Sequence, residues 1–103
     1  QAIQFMLADM KTKIEASRML TWKSAAESDS GVRNTESAAH AKRFAADTAM
    51  EVSTDAVQIF GGYGYSEEYP VARLMRAAKV MQIYEGSSQV QRMIIGREIT
   101  KDF

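Results

Sequence analysis

Apolar residues return every three or four positions through most of the chain, which is the spacing of one face of an α-helix. Near the start, Ile3, Leu7, Met10 and Ile14 form one such stripe, and the pattern predicts a helix that runs to about Asp29. The stripe begins at the first residues, with no initiating methionine and no capping residue before it. We therefore expect the chain to be a piece of a longer protein, cut inside or just before a helix.

Turn residues then separate the first helix from a second, longer one. Gly31 in "SDSGVRN" suits the positive φ at which many helices close. Asn34 or Thr35 is a typical N-cap residue, and Glu36 would lie in the positive first turn. The second helix carries a stripe of mostly small side chains, which lets a neighbouring helix approach closely: Ala41, Ala45, Thr48, Val52, Ala56 and Ile59.

Three glycines in "GGYGY", residues 61–65, end the second helix, because each glycine costs a helix about 1 kcal/mol relative to alanine. Pro70 then suits the first position of a short helix that ends at about Met81. The last helix is expected to begin at Ser87 or Ser88, where Ser88 and Gln91 match a capping box. No segment alternates as a strand does. The predicted fold is all-α, an up-down helical bundle that forms one domain over residues 1–103.

Composition narrows the classes of function. Lys plus Arg and Asp plus Glu are 13 each, so the charge gives no reason to expect binding to nucleic acid or to an anionic membrane. The absence of cysteine excludes disulfides and thiolate metal sites, and no apolar run reaches the ~20 residues of a membrane span. His40 is the only histidine and has no metal-ligating residue at a suitable spacing. We predict no metal site and interpret His40 as a helix-surface or packing residue.

Glu85, in "IYEGSSQVQR", is the candidate for chemistry, and its residues alone leave two interpretations open. An acid just before a helix N-terminus gains about 0.3–1 kcal/mol from the helix dipole, which is a purely structural role. Alternatively, Ile83 and Tyr84 would make its surroundings apolar, and such surroundings raise the pKa of a carboxylate toward a value useful for a general base. Gly86 would leave room for a closely approaching ligand.

The "GGYGY" segment resembles a phosphate-cradling loop, but the dinucleotide fingerprint follows a strand and opens a helix. Here the glycines follow a helix, so we interpret them as a C-cap and turn. Gln58, one turn earlier, can present its amide to a ligand. A nucleotide-binding regulatory domain is the competing hypothesis, and it predicts nucleotide binding by this chain that Gly62→Val abolishes.

Taken together, three segments resemble the C-terminal helical domain of the acyl-CoA dehydrogenases: "QAIQFMLADM", "TDAVQIFGGYGYSEEYPVARLMR" and "IYEGSSQVQR". Their order and spacing agree with the family from end to end. The resemblance implies an FAD-dependent enzyme that oxidises acyl-CoA to trans-2-enoyl-CoA and passes electrons to electron-transfer flavoprotein. It implies a homo-oligomer, a dimer or tetramer. The composition is compatible with both a bacterial cytoplasm and a mitochondrial matrix. The N-terminal helical domain and the middle β-domain of such an enzyme would lie outside this chain.

The resemblance also assigns roles to residues. Glu85 would remove the α-proton of the substrate, and its backbone N–H would polarise the thioester carbonyl together with the flavin's ribityl 2′-hydroxyl. Tyr84 and Gly86 would border the acyl chain. Contacts to FAD would come from Ser87, Ser88 and Gln89 at the start of the last helix. Contacts to the FAD of a neighbouring subunit would come from Gln1, Gln58, Ile59, Phe60, Gly61 and Gly62.

One position departs from the family pattern. Ala77 follows "RLMR" where the family usually has an acid, so we expect a structural ion pair near the Glu85 segment to be weakened. The late position of Glu85 favours the short- and medium-chain-like or short-branched-chain types, and overall similarity favours the short-chain, butyryl-like subclass among them. The alternative hypothesis is a non-catalytic helical interaction or oligomerisation module, which predicts that Glu85→Gln leaves activity unchanged.

Overall fold

The computed structural model describes all residues from Gln1 to Phe103. It contains five helices and no strand: α1 (Ala2–Asp29), α2 (Thr35–Phe60), α3 (Gly62–Tyr65), α4 (Pro70–Met81) and α5 (Ser88–Thr100). The all-α prediction is confirmed. None of the five helices combines the length and the apolar composition that a membrane crossing requires.

Helix α2 is the centre of the bundle, because it contacts every other helix while α1 touches neither α4 nor α5. An ion pair between Lys13 and Glu51 joins α1 to α2. Farther along, the Asn34 amide donates hydrogen bonds to the Ser24 carbonyl and hydroxyl oxygens, both at 3.1 Å. Residue numbers rise along α1 as they fall along α2 through these contacts, so the two helices are antiparallel.

Helices α4 and α5 follow one another along α2, and both run antiparallel to it. Near the start of α4, Tyr69 packs against Phe60 with ring centroids 5.9 Å apart. Near the end of α5, Glu98 pairs with Arg33, just before α2 begins. The connection between α4 and α5 lies beside Asp47, in the middle of α2. The bundle is therefore up-down-up. Its third, ascending part consists of two helices, α4 and α5, with a break between them beside the middle of α2.

The last helix begins at Ser88, as predicted, but the predicted capping box is wrong. Ser87 is the N-cap residue, and its hydroxyl accepts a hydrogen bond from the Val90 N–H at 3.2 Å. The Ser88 hydroxyl instead donates to Asp47 at 2.8 Å. Two adjacent serines are equivalent in the sequence pattern, and only the tertiary contact with α2 distinguishes them.

The start of α2 shows a similar difference. Asn34 is its N-cap residue, but the side chain makes no capping hydrogen bond because its amide is turned toward Ser24. Glu36 lies in the first turn, and Gly31 has a positive φ of 73°, both as predicted.

The glycine-rich segment after α2 is more ordered than the predicted turn, because residues 62–65 form the single helical turn α3. Gly64 is buried against the end of α2. A Cβ at Gly64 would lie 2.6 Å from the Val57 carbonyl oxygen and 2.7 Å from the Phe60 Cβ. The missing side chain therefore allows α3 to fold back onto α2.

The apolar core of the chain consists only of small side chains: Ala39, Ala41, Ala46 and Ala78. The stripe predicted on α1 is covered only in part, since Ile3 is 46% and Leu7 51% exposed, while Met10 and Ile14 are half-buried. A groove of about 610 Å³ opens between α1 and α2. The radius of gyration is 16.0 Å, larger than the ~13 Å expected of a compact domain of this length. Much of the apolar surface is thus left without a partner inside the chain.

Candidate functional site

The Glu85 loop, residues 82–87, connects α4 to α5. Its backbone is held at both ends, because the Tyr84 N–H donates to the Val80 carbonyl and the Ser88 N–H to the Gln82 carbonyl, each at 3.0 Å. These two bonds close the segment into a compact turn.

Glu85 lies at the tip of this turn with φ at 55°, and it is the only residue other than glycine with a positive φ. The left-handed region is uncommon for a residue that carries a side chain. Such a conformation costs about 1–3 kcal/mol and persists only where the surrounding structure enforces it, often at functional sites. The sequence carries no direct sign of this strain.

Lys42 of α2 holds the loop from one side. Its Nζ donates to the carbonyl oxygens of Met81 at 2.6 Å, Tyr84 at 3.2 Å and Gly86 at 3.1 Å. The ammonium also lies 6.0 Å from the centroid of the Tyr84 ring. The carbonyls on both sides of Glu85 therefore share one cation.

Asp47, also on α2, holds the two ends of the loop. Its Oδ1 accepts hydrogen bonds from the Gln82 amide and the Ser88 hydroxyl, both at 2.8 Å, and Arg92 lies 3.7 Å from Oδ2. Burial alone would raise the pKa of Asp47, but the hydrogen bonds from Gln82 and Ser88 and the charges of Arg92 and Arg43 outweigh burial and lower that pKa. Asp47 is therefore an ionised anchor for the loop.

Sequence reasoning missed both anchors. Lys42 and Asp47 are charged residues next to the small-residue stripe of α2, in "HAKRFAADTA". This juxtaposition is the only signal that singles them out, and it does not reveal which segment they contact.

The apolar enclosure predicted around Glu85 is not formed by this chain. Glu85 is exposed, and its neighbours Ile83 and Tyr84 are 60% and 44% exposed. The Glu85 carboxylate has no hydrogen-bond partner or ion pair within the chain, and the backbone N–H groups of Glu85, Gly86 and Ser87 are also unpaired. The loop thus presents an accessible acid beside accessible hydrogen-bond donors.

Gly86 has a structural reason to be glycine besides the predicted room for a ligand. Its φ is 88°, and a Cβ there would lie 2.5 Å from Nε2 of Gln91. The Gln91 amide donates to the Gly86 carbonyl at 3.2 Å. Tyr84, the other residue predicted to border an acyl chain, directs its hydroxyl to the Met81 sulfur at 3.2 Å.

The glycine turn, residues 58–62, lies at the far end of α2. Gln58, Phe60, Gly61 and Gly62 are exposed and Ile59 is half-buried. Helix α1 begins just after Gln1. Gln1 lies at this same end of the molecule, because α1 and α2 are antiparallel and overlap through the pair Lys13–Glu51. The structure therefore brings the predicted Gln1 and glycine-turn contacts to one end of the molecule.

The Glu85 loop and the glycine turn are well separated within one chain. Gln58 comes eleven residues after Asp47 on α2, which at 1.5 Å per residue is about 16 Å. The two groups of predicted cofactor contacts do not meet in this chain. A single chain can therefore present them to different ligands or to ligands on different subunits.

The start of α5 has backbone N–H donors without partners, although not at every residue predicted to contact FAD. The N–H groups of Ser87 and Gln89 have no partner in the chain, whereas those of Ser88 and Val90 are already used. Ser88 is 4% exposed and its hydroxyl is bound to Asp47. A cofactor contact from Ser88 stays a prediction that its side chain does not support.

The other residues considered from the sequence lie outside this site. His40 lies on the surface of α2, where Nε2 is 3.3 Å from Oε1 of Glu36. Ala77 is exposed on α4. No group of three or more histidines, cysteines and acids is placed to hold a metal ion.

Comparison with known proteins identifies the family. The family model described as "Acyl-CoA dehydrogenase, C-terminal domain" matches residues 1–100. The short-chain-specific acyl-CoA dehydrogenase of Megasphaera elsdenii is 62% identical over 96 residues, which are 93% of this chain and 25% of the relative.

Solved structures agree with this match. The butyryl-CoA dehydrogenase from Megasphaera elsdenii has a TM-score of 0.95 and 60% identity, over 96% of this chain and 26% of that one. A chain solved in work on the electron-transferring flavoprotein of Acidaminococcus fermentans gives a TM-score of 0.97 and 57% identity, over 99% of this chain and 27% of that one. This chain thus spans about a quarter of the length of these relatives. It belongs to the acyl-CoA dehydrogenase family, whose C-terminal helical domain it forms.

Proposed function

We propose that this chain is the part of an FAD-dependent acyl-CoA dehydrogenase that carries the catalytic base, Glu85. The reaction converts an acyl-CoA thioester to trans-2-enoyl-CoA. One observation carries the proposal: the Glu85 carboxylate is unpartnered and sits at a strained positive φ of 55° in a loop that α2 anchors. An acid with only a structural role at the helix dipole would not require that strained geometry.

In the proposed reaction the Glu85 carboxylate accepts the proton from the α-carbon of the acyl group. The Glu85 N–H, which has no partner in the chain, donates to the thioester carbonyl oxygen. Preorganised donors of this kind stabilise the negative charge that develops as the proton leaves, and this is usually a large contribution to catalysis. Tyr84 and Gly86, on either side of the acid, border the acyl chain.

FAD, when bound, supplies the acceptor for the hydride that leaves the β-carbon. Ser87 and Gln89 hold it through the free N–H groups at the start of α5, where such donors favour anionic or polar atoms. Gln1 and the glycine turn contact the FAD of a neighbouring subunit, which accounts for their distance from the Glu85 loop.

The substrate is a short acyl-CoA, and the electron acceptor is an electron-transfer flavoprotein. The similarity to the short-chain-specific and butyryl-CoA enzymes of Megasphaera elsdenii supports the substrate class. The similarity to a chain solved in work on an electron-transferring flavoprotein supports the acceptor.

The test is Glu85→Gln in the full-length enzyme, assayed with butyryl-CoA and an artificial electron acceptor. We expect kcat to fall by about 10²–10⁴-fold, the usual contribution of a positioned general base, while butyryl-CoA still binds. The matched control is Glu67→Gln, because Glu67 is an exposed acid in the connection between α3 and α4. It should leave kcat unchanged.

An E85Q enzyme with the kcat of the wild type would overturn the proposal and favour the alternative of a non-catalytic interaction module. The exposed apolar surface of α1 would then be the functional feature of the chain.

A further inference from the structure

The Lys42 ammonium has three N–H donors. Three carbonyl oxygens lie within 2.6–3.2 Å of it, one on Met81 and two in the Glu85 loop. Met81 is the last residue of α4. Carbonyls at the end of a helix lack intrahelical partners and carry the negative end of its dipole, which favours a cation there. The other two acceptors, on Tyr84 and Gly86, lie immediately before and after Glu85.

Each of those two carbonyls belongs to a peptide unit whose N–H group points the opposite way, because a trans peptide is planar. The Tyr84 carbonyl shares its peptide unit with the Glu85 N–H, and the Gly86 carbonyl shares its unit with the Ser87 N–H. Lys42 draws both carbonyls toward α2. The two N–H groups are therefore turned away from α2, and neither has a partner in the chain.

We propose that Lys42 is a positioning residue for the reaction, because by binding the Tyr84 and Gly86 carbonyls it aims the Glu85 and Ser87 N–H groups at the substrate and the cofactor. The inference rests on the proposed function of Glu85. Lys42 touches no reacting atom and acts only through the loop. The same two contacts hold Glu85 at its positive φ and so fix the direction in which its carboxylate leaves the backbone.

Asp47 does not replace this contribution. It binds side chains at the two ends of the loop, Gln82 and Ser88, whereas Lys42 binds the backbone at the tip. Without Lys42 the loop would stay attached to α2 and the Gln91 amide would still hold the Gly86 carbonyl. The peptide unit between Tyr84 and Glu85 would lose its only hydrogen bond and be free to rotate.

The experiment uses the full-length holoenzyme with Lys42→Met, which keeps the length of the side chain and removes its charge and donors. Lys23→Met is the matched control, since Lys23 is an exposed lysine of α1 that makes no hydrogen bond or ion pair in the chain. Lys42→Arg tests rescue, because a guanidinium also offers several donors to carbonyls. The measurements are kcat and KM for butyryl-CoA, bound FAD, and amide hydrogen exchange of residues 82–88.

We expect K42M to lower kcat by about 10–100-fold, because misplacement by about 1 Å costs rates of this order. The KM for butyryl-CoA and the FAD content should stay within about threefold of the wild type, as for an interaction that matters mainly in the transition state. Exchange of residues 82–88 should become faster in K42M and stay unchanged in K23M. K42R should recover most of the kcat.

The inference is overturned if K42M keeps the kcat and the exchange rates of the wild type. It is overturned equally if kcat falls only in proportion to the loss of folded, FAD-containing enzyme. Should K42M fail to fold, Lys42→Gln is measured by the same criteria, and a failure of both variants would assign Lys42 to stability instead. E85Q separates the two proposals. If E85Q is inactive and K42M is normal, only the Lys42 inference fails, whereas an active E85Q removes both.

Discussion

Glu85 differs from every other residue of the chain that has a side chain, because it alone has a positive φ, at 55°. Gly86 follows with φ at 88°, so two consecutive residues have left-handed backbone. The pair turns the chain sharply between α4 and α5 and leaves the acid at the tip. The glycine is thus part of what presents Glu85.

Gly86→Ala should destabilise the protein by about 1–3 kcal/mol, the range for a strained backbone conformation. Its Cβ would also lie 2.5 Å from Nε2 of Gln91, which would have to leave the Gly86 carbonyl. The measurement is the free energy of unfolding from denaturant titration.

Gly96→Ala is the matched control for that substitution. Gly96 lies inside α5 and a Cβ there would meet nothing within 4 Å. Alanine should therefore stabilise the helix by up to about 1 kcal/mol. If Gly86→Ala and Gly96→Ala changed the free energy of unfolding equally, the positive φ of Gly86 would not be what requires a glycine there.

At this scale the sequence singled out Glu85 and Gly86 as candidates, because an acid and a glycine just before a helix start form a local signal, and their roles at the site stay predictions. It did not predict Lys42 or Asp47, whose partners in the loop lie 35 to 44 residues further along the chain. Periodicity places a residue on a helix face, but it does not tell which segment covers that face.

Helix α5 is attached to the rest of the bundle by charge at one end and by the loop at the other. Arg33, between α1 and α2, donates two hydrogen bonds to the Glu98 carboxylate, at 2.5 and 2.9 Å, and Lys101 adds a third at 3.1 Å. The Glu98 side chain is only 5% exposed. These hydrogen bonds, first from Arg33 and then from Lys101, lower the pKa of Glu98 to about 2.

This lowered pKa predicts a specific acid sensitivity. The ordinary pKa of a glutamate is 4.5, so the unfolded chain takes up the proton before the folded one does. The stabilising contribution of Glu98 is therefore complete above pH 4.5 and is lost as the pH falls toward about 2. Unfolding titrations between those pH values should show stability falling with pH in the wild type and falling less in Glu98→Gln. An equal pH dependence in both proteins would contradict the assignment.

The order and the approximate bounds of the longer helices could be predicted because apolar spacing, glycine and proline are local signals. The single turn α3 could not, since glycine disfavours helices and only the close contact of Gly64 with α2 explains it. The break between α4 and α5 was predicted as a boundary. Its place in the middle of α2 depends on the tertiary contacts of Asp47.

The whole chain leaves many of its large apolar side chains exposed, Trp22, Met93 and Ile99 among them, and it buries only alanines as apolar core. It spans about a quarter of the length of its relatives. Surfaces of this kind usually mark interfaces. We expect contacts with partners of this chain to cover these apolar side chains, to add to its free energy of unfolding and to enclose the site around Glu85.

The isolated 103-residue chain should therefore self-associate, fail to retain FAD, and show no oxidation of butyryl-CoA with an artificial acceptor. Light scattering after size exclusion gives the oligomeric state, and flavin absorbance of the eluted protein gives the FAD content. A stable monomer with robust turnover would show that this chain needs no further partner.

The most direct measurement of the central claim is exchange of the α-protons of an acyl-CoA analogue with deuterium oxide, followed by NMR. The analogue cannot lose its β-hydrogen, so only proton abstraction is observed. The full-length wild-type enzyme and E67Q should exchange the α-proton rapidly, and E85Q should be slower by about 10²-fold or more. Equal exchange rates in E85Q and the wild type would mean that Glu85 is not the base.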